Sequence, residues 1–513
     1  MKHWGFFIIL AISFWAVRSL FAPGFFPIHD DTQVARVFEM GKVLQTGVFP
    51  ARWVPDLGYG YGYPIFNYYA PLAYYVGGII TLIGVDALIA TKIMIGLGVL
   101  LAGIFMYFLV RELWGELGGI IAALFYIYAP YHALQIYVRG AVGELWSYAF
   151  IPLVFYGLYK IYTEKKWKWV IVGSIGYTGV ILSHNLTAIM LTPFLLIVIL
   201  FYCFIFYKNR QLYAIRYSLY AVLLGLLLSA FYWIPAVFEM QYTNVQSQIG
   251  GGADFRDHFV CLNQLWDSPW GFGGSTKGCI DGLSFKIGKL HLITVIMSLF
   301  VVLSFIWRRR YIRLGIILFS LVGFFASVFL MLEISKSIWE TVPLIAFFQY
   351  PWRFLLFTSF FSSFLVGAIV WFLEQEFGKV KYFNTILYLS TAILVFLLLF
   401  FNIKLFQPQT ILLKTAQDYT NDRALKWIAS KTSDEYLPTN VKLPISDYDI
   451  PKKNTNEKSV AVTVENQKDL FKRYKDQLPP LRFEQTNLEK IANILSVIGI
   501  GVLIIGIIYA RKK

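Results

Sequence analysis

Long apolar blocks alternate with polar segments along the whole chain. Each block approaches the roughly 20 residues that a helix needs to cross the apolar core of a membrane. The pattern therefore predicts about twelve transmembrane helices in an all-α polytopic membrane protein. The blocks are 4–22, 91–110, 117–131, 147–162, 168–183, 187–207, 214–236, 288–307, 311–331, 352–374, 383–403 and 491–510.

Basic residues cluster between these blocks, as in the cytoplasmic loops of membrane proteins. With twelve spans and the N-terminus inside, every cluster falls on one side. The sequence thus predicts a plasma-membrane protein with both termini cytoplasmic. Counting the short apolar stretch 71–84 as a span would reverse the later clusters, so we expect it to lie at the outer interface. The clustered residues are Lys165, Lys166, Lys168, Lys208, Arg210, Arg216, Arg308, Arg309, Arg310, Arg313, Lys379, Lys381, Arg511, Lys512 and Lys513.

The same alternation divides the chain into three parts. Residues 1–403 form the multi-span membrane domain, and residues 491–513 form a C-terminal anchor with a basic cytoplasmic tail. Residues 404–490 form a small, external, soluble insert, predicted to be β-rich because 459–467 alternates apolar and polar positions. The other external segments are 23–90, 132–146, 237–287 and 332–351.

Composition agrees with this organisation. The 513 residues are 58% hydrophobic and only 15% charged, which excludes a soluble enzyme, a disordered chain and a disulfide-dense scaffold. The net charge of +15 is distributed in the loop clusters. No basic surface is interleaved with stacking aromatics, so the sequence predicts no nucleic-acid partner.

Two of the three cysteines, Cys261 and Cys279, share one external segment. Oxidation is permitted outside the cytoplasm, and a bridge would stabilise this segment by about 3 kcal/mol. The alternative is a pair of free thiols.

The first external segment contains the first candidate chemistry. Asp30 and Asp31 could bind a divalent cation or serve as a base, or they could cap the following helix. Trp53, Tyr59 and Tyr61 follow in a glycine-rich stretch. These rings could stack on a ligand, or they could belong to an interfacial aromatic belt.

Further candidates lie in the other external segments. Arg139 could hold a phosphate and Glu144 a metal or an acceptor, or the two could form a local ion pair. A lone His184 could bind a ligand or make structural hydrogen bonds. Gln349 and Arg353 lie among aromatics, which suits a lipid phosphate, although snorkelling of Arg353 is the alternative.

These segments carry a family resemblance. HDDTQVARVFEM (29–40), YGYPIFNYYAPL (61–72), YVRGAVGEL (137–145), SHNLTA (183–188) and FQYPWRF (348–354) together resemble the 6-pyruvoyl-tetrahydropterin synthase-related membrane domain family. The order of features also resembles the GT-C superfamily of membrane glycosyltransferases. The YVRGAVGE stretch is similar to a loop of oligosaccharyltransferase catalytic subunits. The six histidines are scattered, so the zinc-binding cluster of a soluble pterin synthase is absent from the sequence.

The GT-C resemblance implies transfer of a sugar from a polyprenyl-phosphate carrier to an acceptor on the extracytoplasmic face. It implies that Asp30 or Asp31 acts as base or metal ligand, with Glu144 assisting. Arg139 and Arg353 would hold the carrier phosphate, and Tyr59, Tyr61 and Trp53 would stack on sugar. Members of the superfamily differ in metal dependence, so Mg²⁺ or Mn²⁺ at Asp30, Asp31 and Glu144 stays open. The alternatives are a non-enzymatic protein that binds lipid-linked glycans, or a transporter or flippase.

Overall fold

The structure, a computed structural model, describes residues 4–206, 212–248, 250 and 253–512. Three residues of the predicted basic clusters, Lys208, Arg210 and Lys513, lie outside the described residues. The described chain is mainly helical, as the sequence predicts.

Every predicted span coincides with helix. The first half of the chain contains α1 (Trp4–Val17), α2 (Gln33–Gln45), α3 (Ile65–Tyr68), α4 (Leu72–Leu82), α5 (Ala87–Ile127), α6 (Pro130–Leu134), α7 (Val142–Glu164), α8 (Trp167–Ser183), α9 (Asn185–Phe206), α10 (Leu212–Leu228) and α11 (Ala230–Phe238). The second half contains α12 (Leu262–Trp266), α13 (Lys289–Trp307), α14 (Tyr311–Met331), α15 (Lys336–Thr341), α16 (Pro343–Ala346), α17 (Leu355–Phe377), α18 (Phe383–Asn402), α19 (Ala416–Thr420), α20 (Ser430–Thr432), α21 (Gln467–Arg473) and α22 (Asn487–Lys512).

By length and apolar composition, seven helices of the described chain could cross a membrane, or up to eight if the bent pair α10–α11 forms one span. The predicted spans 147–162, 168–183 and 187–207 coincide with α7, α8 and α9, which are not among the seven. α4 has 11 residues and reaches about 16 Å, half the thickness of the apolar core, so it is too short to cross.

α5 is two antiparallel arms rather than one straight helix. Its backbone leaves helical geometry at Trp114 and Gly115, where Gly115 has φ 78°. A Cβ atom at Gly103 would collide with the side chain of Ile127, although the two would be about 36 Å apart along a straight helix. The predicted spans 91–110 and 117–131 are therefore the two arms of this hairpin.

α17 lies at the centre of the bundle. All its residues from Leu355 to Trp371 are buried, whereas α18 buries only Leu387, Thr391, Leu398 and Asn402. α7 and α8 pack closely, because a Cβ at Gly157 would collide with the backbone of Gly173. Such contact between small residues is typical of helix pairs in membranes.

The 404–490 insert contains two short parallel sheets as well as α19, α20 and α21. Strand β1 (Lys452–Lys453) pairs with β3 (Gln477–Leu478), and β2 (Val460–Val462) pairs with β4 (Leu481–Phe483). β2 lies in the alternating stretch 459–467 that predicted a strand. The rest of that stretch leads into α21.

All five segments predicted to be external meet at one end of the bundle. The backbone at Phe25 pairs with that at Leu412, His29 N–H donates to Val138 O at 3.0 Å, and Asn244 N–H donates to Leu437 O at 2.9 Å. The ring of Phe255 lies 5.4 Å from that of Trp339, between centroids. We call this end the site face. The other end, where residues 112–114, 159–163 and 309–313 lie, is the opposite face. Glu144 and Glu164 mark the two ends of α7, about 30 Å apart.

Candidate functional site

Arg139 ends a π-helical turn, Gln135–Arg139, that lies between α6 and α7 in the predicted external segment 132–146. Gly140 ends this turn at φ 64°, and a Cβ there would collide with Ile28. Glycine thus permits both the left-handed backbone and the close approach of the predicted external segment 23–90. Asp30 N–H then donates to Arg139 O at 3.0 Å, so the acidic pair is fixed against this turn.

Arg139 and Glu144 form a buried ion pair. Arg139 Nη1 donates to Glu144 Oε2 at 2.6 Å, and the guanidinium lies 4.7 Å from the ring centroid of Trp352. The hydroxyl of Tyr131 and Gln135 Nε2 both donate to Glu144 Oε1. The local ion pair that the sequence left as an alternative is therefore present, and both oxygens of Glu144 are engaged.

Electrostatics keep this pair charged. Burial alone would raise the pKa of Glu144, but Arg139, His184 and Arg353 lower it to about 2. Burial alone would likewise lower the pKa of Arg139, but the charges of Glu144 and Asp30 contribute to raising it. Glu144 is therefore an ionised positioning group for Arg139 rather than a titrating acid.

The two adjacent aspartates face different neighbours. The charge of Asp30 acts on Arg139 and on Tyr69, whose pKa is raised chiefly by burial. Asp31 is crowded by protein, which raises the pKa of its carboxyl, and Lys414 of the insert opposes this shift. Both side chains are exposed. Neither carboxylate accepts a hydrogen bond as a cap of α2. The N-cap residue of α2 is Thr32, and its side chain makes no cap hydrogen bond. Asp30 therefore belongs to the Arg139 cluster, and Asp31 faces the insert.

His184 lies beside the start of α7. A Cβ added at Gly143 would be 3.5 Å from His184 Cδ2 and 3.7 Å from Tyr69 Oη. Nδ1 of His184 accepts from Thr187 N–H at 3.2 Å, so the neutral ring carries its proton on Nε2. Burial lowers the pKa of His184 to about 3, with Glu144 opposing and Arg353 adding to the shift. The half-buried ring is thus a neutral donor at physiological pH.

Arg353 lies at the start of α17, near the same groups. Its Nη1 donates to Phe348 O at 2.9 Å, and its guanidinium lies 5.1 Å from the ring centroid of Tyr350. Its buried Nε–H has no hydrogen-bond partner among the described residues. Gln349 turns the chain here with φ 62°. The structure therefore brings Asp30, Arg139, Glu144, His184 and Arg353 into one cluster, which we call the charged cluster.

The three aromatic candidates pack elsewhere, against the insert. Trp53 stacks on Phe483 at 4.8 Å, and Tyr61 stacks on Phe471 at 4.0 Å, between centroids. Tyr59 is buried beside Trp427, also of the insert, at 5.9 Å. Side chains of the insert cover these rings, so Trp53, Tyr59 and Tyr61 dock the insert instead of presenting open faces to a sugar.

The structure does not assemble the expected metal ligands. Among the described residues, no group of three or more His, Cys, Asp and Glu side chains is placed to hold a metal ion. Glu144 is fully engaged by its neighbours, and Asp31 faces away from it, so Asp30, Asp31 and Glu144 do not form a joint site. Cys261 and Cys279 are joined by a disulfide, with Cα atoms 5.6 Å apart.

Three aromatic neighbours of the charged cluster were not predicted from the sequence. Tyr131 bonds Glu144, Trp352 lies against Arg139, and Tyr69 lies beside His184. Tyr131 and Trp352 flank the motifs that hold Arg139 and Arg353. Their position next to a buried cation was the available signal, since planar rings commonly pack against guanidinium groups.

Comparisons with known proteins bear on the family resemblance and on the fold. Residues 66–250 match the 6-pyruvoyl-tetrahydropterin synthase related domain, which is described as a membrane protein, so the resemblance indicated by the motifs is confirmed over this segment. A protein of Lactococcus lactis subsp. cremoris (strain MG1363), described only as uncharacterized, is 24% identical over 200 residues. The match spans 38% of this chain and 33% of that protein.

The fold is similar to that of the Archaeoglobus fulgidus oligosaccharyltransferase in its apo form. The TM-score is 0.52 at 13% identity, over 93% of this chain and 64% of that one. This likeness confirms the polytopic, GT-C-like fold. ArnT from Cupriavidus metallidurans bound to undecaprenyl phosphate has a TM-score of 0.39 at 11% identity, over 95% of this chain and 87% of that chain. That score is too low to support an argument about this protein.

Proposed function

We propose that the protein is an integral-membrane glycosyltransferase that moves a sugar from a polyprenyl-phosphate carrier to an acceptor at the site face. We place this face on the extracytoplasmic side of the plasma membrane, with both termini in the cytoplasm. One observation carries the proposal. Segments far apart in the sequence bring an exposed carboxylate, Asp30, next to Arg139, and both Arg139 and Arg353 act on Glu144, in a fold like that of an oligosaccharyltransferase.

Asp30 is the proposed base. It accepts the proton of the acceptor's attacking group as that group forms a bond to the anomeric carbon of the sugar. The bond between this carbon and the carrier phosphate oxygen breaks, and its electron pair stays on the phosphate. Arg353, whose Nε–H has no protein partner among the described residues, donates to that developing charge.

The remaining members of the charged cluster position these two groups. Glu144 and Trp352 fix Arg139, whose backbone carbonyl accepts from Asp30 N–H and so holds the acidic pair in place. His184 Nε2–H supplies a neutral donor to the sugar or phosphate.

Asp30→Asn tests this proposal, and Asp31→Asn is its matched control, because the two adjacent carboxylates face different neighbours. We would purify each full-length protein gently from its membrane and identify the retained polyprenyl-phosphate lipids by native mass spectrometry. The wild type and Asp31→Asn should retain mostly spent carrier. Asp30→Asn should retain mostly sugar-loaded carrier, because loss of a general base slows transfer by about 100-fold or more.

Three results would contradict the proposal. If the three proteins retain the same ratio of loaded to spent carrier, Asp30 is not the base. If Asp31→Asn alone accumulates loaded carrier, the assignment within the pair is reversed. If none of the proteins retains any polyprenyl lipid, the carrier substrate itself is wrong, and uptake of labelled substrate into proteoliposomes would then test transport.

A further inference from the structure

A cavity lies at the opposite face of the bundle. A cavity of about 760 Å³ opens between the first arm of α5, the end of α7 and the start of α14. Tyr159, in its wall, follows Glu144 by 15 residues on α7, about 22 Å along the helix axis. The cavity is therefore separate from the charged cluster and takes no part in the function proposed above.

The wall of this cavity carries an excess of positive charge. Arg309, Arg310 and Arg313 line it together with one carboxylate, Glu112. Lys160 already pairs with Glu112 at 2.6 Å, and Glu376 pairs with Arg310 at 3.5 Å. Within the described residues, Arg309 and Arg313 have no ion pair. Two cations at the mouth thus remain available to an anion.

Two aromatic residues add features of a binding site. The guanidinium of Arg313 lies 4.0 Å from the ring centroid of Trp371, which holds this cation in place. Trp114, which also lines the cavity, packs against Trp371 with 5.5 Å between ring centroids and so supports it.

An apolar crevice continues from the cavity into the bundle. Leu113, Tyr159 and Ile316 line both spaces, so they form the boundary between them. Beyond this boundary the walls come from α5, α7, α9, α14 and α17. They consist of Leu109, Phe155, Val198, Phe201, Phe319, Ser320, Phe360 and Phe364. A basic mouth followed by an apolar crevice is the arrangement that an amphiphile with an anionic head requires.

We propose that this cavity binds an anionic phospholipid, with its phosphate against Arg309 and Arg313 and part of one acyl chain in the crevice. Guanidinium groups match the geometry of phosphate oxygens and bind them through paired N–H donors. Basic pockets between transmembrane helices commonly bind anionic head groups. The crevice holds about 50 Å³, enough for only a short part of an acyl chain, and a free phosphate would make no contact with it.

The test measures retention of phosphatidylglycerol, with phosphatidylcholine as the zwitterionic reference, by native mass spectrometry of the full-length protein in mixed micelles. The wild type should retain one phosphatidylglycerol per chain in preference to phosphatidylcholine. The double variant Arg309→Gln, Arg313→Gln should lower this retention by about tenfold, because each arginine contributes to head-group binding. Lys379→Gln, Lys381→Gln removes the same charge from exposed residues of the loop after α17 and should leave retention unchanged.

A second variant tests the crevice. Ile316→Trp fills the boundary between the two spaces while leaving both arginines in place, so it should also lower retention. Circular dichroism should show unchanged helix content for all variants, since Arg309 and Arg313 are exposed. Equal retention by the arginine variant and its lysine control would overturn the site. Displacement of the lipid by millimolar inorganic phosphate, with Ile316→Trp having no effect, would show a free-anion site and overturn the lipid assignment.

Discussion

The two polar ends of the bundle use arginine in opposite ways. At the site face, Arg139 is buried, bonded to Glu144 and packed against Trp352. At the opposite face, Arg309 and Arg313 are exposed and, among the described residues, have no ion pair. The first arrangement fixes a charge before any ligand arrives. The second arrangement leaves two positive charges available to an anion that enters the cavity.

This difference shows that clustering of charge does not by itself identify a binding site. Arg139 and Glu144 satisfy each other, so the carboxylate open to a ligand at the site face is their exposed neighbour Asp30. At the opposite face the arginines themselves are open. The buried Arg139–Glu144 ion pair and the exposed cations Arg309 and Arg313 should therefore respond differently to substitution.

The largest expected effect on stability follows from removing the charge of Glu144. Glu144→Gln leaves Arg139 buried without a counter-charge and should lower the free energy of unfolding by about 3 kcal/mol or more. Because the pKa of Glu144 is depressed to about 2, its stabilisation is complete above its ordinary value of 4.5 and is lost as the pH falls towards 2. The unfolding midpoint in detergent should therefore fall equally at pH 6 and pH 8. An unchanged midpoint would show that the pair is not structural.

A second buried carboxylate at the site face should behave differently. Burial, together with the nearby charge of Asp56, raises the pKa of Glu39 to about 8. Its contribution to stability is therefore complete below its ordinary value of 4.5 and is lost as the pH rises towards 8. The cost is about 1.4 kcal/mol for each pH unit in this window. Glu39→Gln should remove this part of the slope, measured as unfolding midpoints at pH 5.5, 6.5 and 7.5. Parallel slopes for variant and wild type would contradict the assignment.

The smallest effect is expected at the opposite face. Arg313→Gln should change the free energy of unfolding by no more than about 0.5 kcal/mol, because the side chain is exposed and, among the described residues, forms no ion pair. The same midpoint measurement applies, without added anionic lipid. A loss comparable to that of Glu144→Gln would mean that Arg313 is a structural residue and that the contrast between the two ends is false.

Much of the fold was predictable from the apolar blocks, because a block of about 20 apolar residues has few alternatives to a buried or membrane-spanning helix. All twelve blocks are helical, and the break between 91–110 and 117–131 lies at Trp114 and Gly115. The convergence of the polar segments at one end also followed from counting the spans. The side of the membrane on which they lie stays a prediction.

The partners of side chains that lie far apart in the sequence were not predictable. Asp30 and Asp31 are adjacent in sequence, yet Arg139 neighbours one and Lys414 the other, and no local pattern encodes that divergence. The rings of Trp53 and Tyr61 suited sugar stacking equally well in isolation. Their actual partners, Phe483 and Phe471, are more than 400 positions away along the chain.

That separation has a consequence for biosynthesis. Gln467 Nε2 donates to Gly62 O across 405 positions, and Arg52 donates to Asn493 across 441. At about 5–20 residues per second, a ribosome needs roughly 20–80 s to make 400 residues. During that interval residues 23–90 have left the ribosome, but residues 404–490, which cover them, have not yet been made. The site face can therefore close only after the chain has been made as far as Asn493, and a nascent chain that stops before α22 would leave those early rings uncovered.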